Sequence, residues 1–569
     1  MSESRDQRLP VVLCWHMHQP YYADLLSGEY QLPWVYLHAV KDYVDMAAHL
    51  EANPEARAVV NFAPILLEQI DDYVGQLEGW FNEGAGLRDP LLETLASARW
   101  PEGVDARLRL IRSLLRANRE RMVARFKPFL RLVELAERVL AEPTDALYLG
   151  RQFLIDLSVW YHLAWLGETV RRGDTRVRAL LDRSCNFTEA DRHGLLALIH
   201  ELMRDLLPRY RRLAESGRVE LSVTPYAHPI LPLLIDMECA REAQPDAPLP
   251  VNRPYPGGVE RARWHIERGL ESFEAHFGFR PEGCWPAEGG VSDAMLGLLS
   301  EAGFRWCATG ENVLRHSLDR LHLATGESEK PWLYQPYRLN APGLTGFFRD
   351  DGLSDLVGFT YAEWHGDDAV ANLVHHLENI AAASQPAPDR VVSIVLDGEN
   401  AWEYYPENGY HFLGALYREL SRHPRLKLTT FRDHLANVSP VHELPQLVAG
   451  SWVYGTFSTW IGDADKNRGW EMLIEAKRAF DEAVANGRLD GERLRKAERQ
   501  LAICEGSDWF WWFGDYNPEE SVADFERLFR HQLTALYRTL EVPAPDYLDR
   551  VFTHGRGTPA AGGVMRANA

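Results

Sequence analysis

Two textures of hydrophobic patterning alternate along the chain. In the first, short unbroken apolar runs stop abruptly at polar residues. The run 11–15 ends at His16-Met17-His18-Gln19-Pro20, the run 58–62 carries Asn61 near its end, and the run 391–396 ends in Asp397-Gly398-Glu399. Runs without polar alternation predict parallel strands covered on both faces. Stretches 217–224, 305–309 and 344–351 read as further strands or strand ends. In the second texture, apolar residues recur at helical spacing. Leu108, Ile111, Leu114 and Leu115, then Met122, Phe126, Phe129, Leu130 and Val133, predict a helical insertion over 91–213 between strands. Ser439-Pro440 and Leu444-Pro445 then punctuate the chain, and helical periodicity returns over 466–485, 491–505 and 518–540. These patterns place a domain boundary at 438: an α/β part over 1–438 and a helical part over 439–552. The Gly-, Ala- and Arg-rich stretch 553–569 reads as a disordered tail.

Composition narrows the classes. The 569 residues, 46% hydrophobic and 11% aromatic, describe an enzyme-sized globular protein with a large core. A formal charge of −21 argues against nucleic acid, whose phosphates require a basic face. The six cysteines are scattered without a C-x-x-C pair and read as reduced thiols of a cytoplasmic protein. No apolar run approaches the roughly 20 residues that span a bilayer, and the run at 11–15 is too brief for a signal peptide. A soluble, unexported protein with no membrane partner is expected, its oligomeric state undefined. Eighteen tryptophans suit sugar stacking as well as core packing.

The strand ends hold the candidate chemistry, because parallel barrels gather their functional groups there. Asp397 and Glu399, two apart, share a side if the strand continues. His16 and His18, also two apart, suit either metal ligation or hydrogen bonds to a ligand's hydroxyls. A metal-dependent deacetylase or mannosidase would use such a pair with an adjacent aspartate, yet Met17 and Gln19 leave no carboxylate there. Glu220 sits among apolar strand residues, so it either faces outward or is buried with partners. His228 closes that strand as a loop histidine or a ligand contact. Arg349 and Asp350 are adjacent and can simply pair. Glu288, beside Trp285 and ahead of Gly289-Gly290, is the carboxylate best suited to partner Asp397.

Five stations in order resemble glycoside hydrolase family 57, the α-glucan-active amylases, amylopullulanases, branching enzymes and glucanotransferases. They are His18-Gln19-Pro20, 217–222 with Glu220, Trp285-Pro286-Ala287-Glu288, 397–402, and Trp460-Ile461-Gly462 leading to Asn467. The resemblance implies an incomplete (β/α)7 barrel with a helical insertion and an α-helical C-terminal domain that helps close the cleft. It implies Glu288 as nucleophile and Asp397 as general acid/base; no cofactor and no catalytic metal ligands are expected, a structural metal being left open. His16, His18, Gln19, Glu220, His228, Glu399 and Trp402 fall at pocket stations, with Trp285 and Trp460 as stacking aromatics. Arg349, Asp350, Asp463 and Trp512 complete the expected substrate contacts, and the runs Arg349-Asp350 and 506–515 look most like the amylase and amylopullulanase branch. The expected activity is retaining hydrolysis of α-1,4 bonds in maltooligosaccharides, starch or glycogen, with α-1,6 cleavage open. Its alternatives are glucanotransfer or branching and, from other classes, the metal enzyme above or a non-catalytic glucan-binding protein. Retention requires the two carboxyl groups about 5–5.5 Å apart.

Overall fold

The computed structural model describes residues 8–323, 330–383 and 389–556. The three apolar runs are strands, and together with four others they close a seven-stranded parallel barrel. The seven are β1 (Leu9–Met17), β2 (Ala58–Phe62), β3 (Val219–Val223), β4 (Gly283–Cys284), β5 (Trp306–Gly310), β6 (Thr345–Arg349) and β7 (Val392–Asp397). Each pairs with the next, and β7 returns to β1. Every residue of β2, β3, β5 and β6 is buried, as strands covered on both faces require. The joints β3–β4 and β6–β7 are slight, each a single register pair, Val223 with Cys284 and Arg349 with Ser393. The Arg349 side chain reinforces the second by donating from Nε to the Val395 carbonyl at 2.9 Å.

Strand periodicity sorts side chains between lumen and helices. Val12, Cys14, Val59, Trp306, Phe347 and Val395 pack together inside the barrel. The strand Leu426–Thr429 pairs with the first residues of β1, and the helix after it, Phe431–Asn437, sends Phe431 into the same cluster. Glu220 belongs to this level. Its Oε1 accepts from Trp306 Nε1 at 2.7 Å and its Oε2 from the backbone N–H of Arg432 at 2.9 Å, so it caps the first turn of that helix. Burial pushes its carboxyl up to about 7.

Helices fill the interval between β2 and β3, and they begin before the predicted position, with Pro64–Glu83 opening on proline. The interval ends in the 27-residue helix Glu189–Glu215, started by a reciprocal Thr188–Asp191 capping box. Beyond the barrel, residues 447–461 cross its mouth, with Val291 bridging Gly450. The helices Ala464–Ala485, Gly491–Cys504 and Glu519–Thr539 follow, as periodicity predicts, with a short helix Asp508–Trp512 between them. Residues 553–556 of the expected tail are docked: the His554 N–H donates to Asp465 Oδ2 at 2.8 Å and that of Arg556 to the Asp515 carbonyl at 3.0 Å. The remainder, 557–569, lies outside the described residues. Among the described residues no helix is long and apolar enough to cross a membrane, and all six cysteines are free.

Candidate active site

The C-terminal ends of the strands open into a cleft of about 460 Å³, lined by His16, His18, Gln19, His228, Glu288, Arg349, Asp397, Glu399 and Trp512, among others. Nine of the fifteen sequence-nominated residues thus share one wall. Register explains part of the gathering: His16 of β1 lies opposite Asp397 of β7 on one edge and Asn61 of β2 on the other.

Two site residues, His228 and Glu288, hold left-handed backbone at φ 60° and 58°, a conformation that non-glycine residues adopt at some cost. The cost is met by tertiary bonds. The Ser507 N–H donates to the His228 carbonyl at 2.9 Å, and the Trp452 N–H to the Glu288 carbonyl at 3.0 Å. Trp452 Nε1 also donates to Glu288 Oε2 at 3.0 Å, and Ser507 Oγ stands 3.4 Å from Oε1. Asp397 accepts from Asn400 Nδ2 at 3.0 Å. Between Asp397 and Glu399 the backbone passes so close to β1 that a Cβ on Gly398 would lie 2.2 Å from Met17 Sδ.

Burial dominates the electrostatics. It pushes Asp397 up to about 6, against the pull of Asn400, His18 and Arg349. Glu288 rises well above the usual carboxylate range through burial, then the charges of Asp397 and Asp508, opposed by its donors Trp452 and Ser507. The two acids titrate as a coupled pair, in which ionisation of one disfavours ionisation of the other. Glu399 is likewise raised, by burial and then by Asp397. Its Oε1 is held by the His18 N–H and Gln19 Nε2 at 3.4 and 3.3 Å, while Oε2 pairs with no protein group among the described residues.

Six nominated residues lie off the cleft. Glu220 is committed lower in the lumen. Trp285 is wholly buried beneath Glu288, edge-on to Trp452 with centroids 5.3 Å apart. Trp402 packs against Trp15 and donates to the Gly398 carbonyl at 2.9 Å, bracing the acidic turn from behind. Trp460 is buried behind Trp511, 5.8 Å away. Asp350 and Asp463 cap the helices Asp351–Gly358 and Ala464–Ala485 through the N–H groups of Leu353 and Asp465. Conversely, the cleft presents Trp34, Tyr404, Trp452, Trp511 and Asp508, none of which sequence reasoning assigned a role. Asp508 accepts from His18 Nε2 at 2.9 and 3.0 Å. The run 506–515 was the one available signal for it, whereas Trp452 sits in a loop without any.

The ligating atoms of His18, His228 and Asp508 lie within 4.8 Å of one another, a spacing that a cation could use. The His18 and His228 rings, however, stack 3.7 Å apart and nearly parallel, at 11°. Lone pairs in parallel planes do not converge on one ion, and both His228 nitrogens already have partners, His16 Nε2 at 3.0 Å and Ser507 Oγ at 2.8 Å. The arrangement does not fit a metal centre; it fits a pair of acids at the floor of an aromatic cleft.

Solved structures share this architecture. A branching enzyme from Thermococcus kodakaraensis aligns with a TM-score of 0.57 at 15% identity, covering 93% of this chain and 90% of its own. The α-amylase AmyC from Thermotoga maritima gives 0.56 at 14%, covering 94% and 93%. A 4-α-glucanotransferase from Thermococcus litoralis gives 0.52 at 14%, covering 93% of this chain and 60% of its own. At such identities the likeness speaks for the fold. The family model of glycosyl hydrolase family 57 matches residues 12–446, and the chain is a member of that family, an enzyme acting on glycosidic bonds.

Proposed function

We propose that the protein is a retaining glycosidase acting on α-1,4-glucosidic bonds of maltooligosaccharides, starch or glycogen. The observation that carries this reading is the meeting of Glu288 and Asp397 in one cleft, each from the end of a different strand. This mechanism requires the proton of the pair on Asp397, which gives it to the glycosidic oxygen, although burial and neighbouring charges raise Glu288 further than Asp397, which stands at about 6. Glu288, facing two donors, attacks the anomeric carbon as the bond to that oxygen breaks, leaving a glucosyl ester on its carboxylate. Asp397, now ionised, takes a proton from water, whose oxygen displaces Glu288 and restores the starting state.

The lining supports a neutral, hydroxyl-rich substrate. Glu288, Asp397, Glu399, Glu403, Asp508, Glu520 and Asp524 line the cleft against two arginines, Arg349 and Arg116, the latter paired with Asp524 and Glu520, an excess of acid that disfavours anions. Trp34, Trp452, Trp511 and Trp512 offer faces for sugar rings. Glucanotransfer is the second reading, favoured by the apolar Phe359 and Phe525 in the same wall, which disfavour water as acceptor. Incubation with maltopentaose separates the two: hydrolysis gives a net gain of reducing ends, and a redistributed ladder without that gain sinks it.

The acidic turn gives a second test. Gly398→Ala forces Met17 or the turn aside, and a misplacement of about 1 Å at reacting groups costs on the order of 10²-fold in rate. The expected result is a kcat on maltooligosaccharides lowered by about that factor with KM little changed. An unaltered kcat would show that the close approach to Met17 does not set the position of Asp397.

A further inference from the structure

A line of polar side chains runs across the top of the lumen and out to the C-terminal domain: Thr224, Asn61, His16, His228, Ser507 and Glu288. Its proton order follows from one hydroxyl. Thr224 Oγ1 lies 2.7 Å from the Trp285 carbonyl oxygen and 2.7 Å from the end of the Asn61 amide that also faces His16. A threonine hydroxyl has one proton, and a carbonyl can only accept. The proton therefore goes to Trp285, and the amide end facing Thr224 is the nitrogen, since amide oxygen and nitrogen are assigned by their partners. Asn61 then donates to Thr224 Oγ1 and to His16 Nδ1, the latter over 2.7 Å, while its oxygen accepts from Ser222 Oγ at 3.0 Å.

Each later link is dictated by the one before. Both imidazoles are neutral, burial being the main cause: His16 is pushed down to about 3 and His228 well below the usual range. His16, accepting at Nδ1, carries its proton on Nε2 and donates to His228 Nε2 at 3.0 Å. His228 carries its proton on Nδ1 and donates to Ser507 Oγ at 2.8 Å. The Ser507 proton is then free for Glu288 Oε1, 3.4 Å away. With the Asn61 amide turned over, two oxygens would meet at 2.7 Å with no proton between them, and every later bond would reverse. Ser507 would then spend its proton on His228 and offer Glu288 none.

We propose that Asn61, Thr224 and Ser507 are positioning residues whose ordered chain of donors ends on Glu288 and favours its carboxylate form. The inference rests on Glu288 being the nucleophile of the proposed reaction. The other groups facing Glu288 are Trp452, a donor, and Asp397 and Asp508, whose charges oppose its ionisation. On the far side, His18 and Arg349 act on Asp397. The chain thus biases where the single charge of the pair resides.

Neutron diffraction from deuterium-exchanged crystals of the full chain at neutral pH reads the order directly. Deuterium is expected on His16 Nε2 and His228 Nδ1; deuterium on His16 Nδ1 and His228 Nε2 overturns the proposal. The kinetic counterpart is Ser507→Ala, which removes the last donor. The acid limb of its kcat/KM profile on maltooligosaccharides is expected to move up by about one pH unit, the weight of one hydrogen bond to a charged group. Ser507→Thr, which restores a hydroxyl, is expected to return it. An unmoved limb in a variant that keeps the wild-type urea midpoint overturns the proposal, as does a threonine variant that behaves like alanine. A wild type without glucan turnover but with deuterium at the expected nitrogens would refute the glycosidase reading instead, and with it the role assigned to the chain, leaving the proton order intact.

Discussion

Glu288→Gln is expected to lower kcat on α-1,4-glucans by about 10⁴-fold or more while leaving maltooligosaccharide affinity within a few-fold, because losing a covalent nucleophile removes the reaction path and not the cleft. Glutamine keeps the size of the side chain and an oxygen for Trp452 Nε1, so the fold has no reason to fail. Glu288→Ala sharpens the test. Azide in the vacated space attacks the anomeric carbon of α-glucosyl fluoride from the face the carboxylate used and yields the β-azide. The same reagent with Asp397→Ala should give the α-azide, through the intact Glu288 ester. An α-azide from the Glu288 variant, or turnover close to wild type from Glu288→Gln, would remove Glu288 from the role of nucleophile. Calorimetric binding of maltopentaose to Glu288→Gln supplies the affinity arm.

The second large effect concerns stability. Glu505→Gln is expected to destabilise the protein by about 3–5 kcal/mol at pH 7, the cost of breaking a buried pair and stranding its cation. Glu505 is fully buried at the end of the helix Gly491–Cys504. It accepts from Arg261 Nη2 at 2.7 Å, His265 Nε2 at 2.7 Å and the Tyr255 hydroxyl at 2.5 Å. Arg261 and His265 lie on the helix Gly258–Phe277, which leads into β4, so this carboxylate ties the C-terminal helices to the barrel. Burial alone would raise its pKa; Arg261 and His265 outweigh burial and hold it down to about 2. A depressed carboxylate contributes stability above its unfolded value of roughly 4.3, and the contribution is lost as pH falls from there toward 2. The gap in urea midpoint between wild type and Glu505→Gln should be full at pH 7 and narrow below about pH 4. A gap that is absent at pH 7, or constant with pH, would show that Glu505 does not act through its charge.

The barrel was legible wherever burial left an unbroken apolar run, as in β1 and β7, because covering both faces of a strand removes polar alternation from its sequence. The acids at the strand ends were legible for the same reason, since a carboxylate closing such a run stands out. What could not be read was which way equally polar or aromatic residues turn. Glu220 looks like a pocket residue until Arg432, 212 positions away, supplies the N–H that occupies it. Trp285, Trp402 and Trp460 carry the same side chain as Trp452 and Trp511, and tertiary packing alone sends the first three behind the wall and the last two onto it. Asp508 needs the C-terminal helices docked before it can reach His18.

The acid-lined cleft has a consequence for selectivity. Phosphorylated sugars offer the same hydroxyls as unmodified glucose units and would fit the same aromatic faces. Their phosphates, however, would have to enter a cleft lined by seven carboxylates against two arginines, one of them already paired with Asp524 and Glu520. Like-charge repulsion in a low-dielectric cleft acts before contact is made. A net-acidic wall of this kind is expected to disfavour phosphate esters relative to plain glucan chains at a stage when shape has not yet been read.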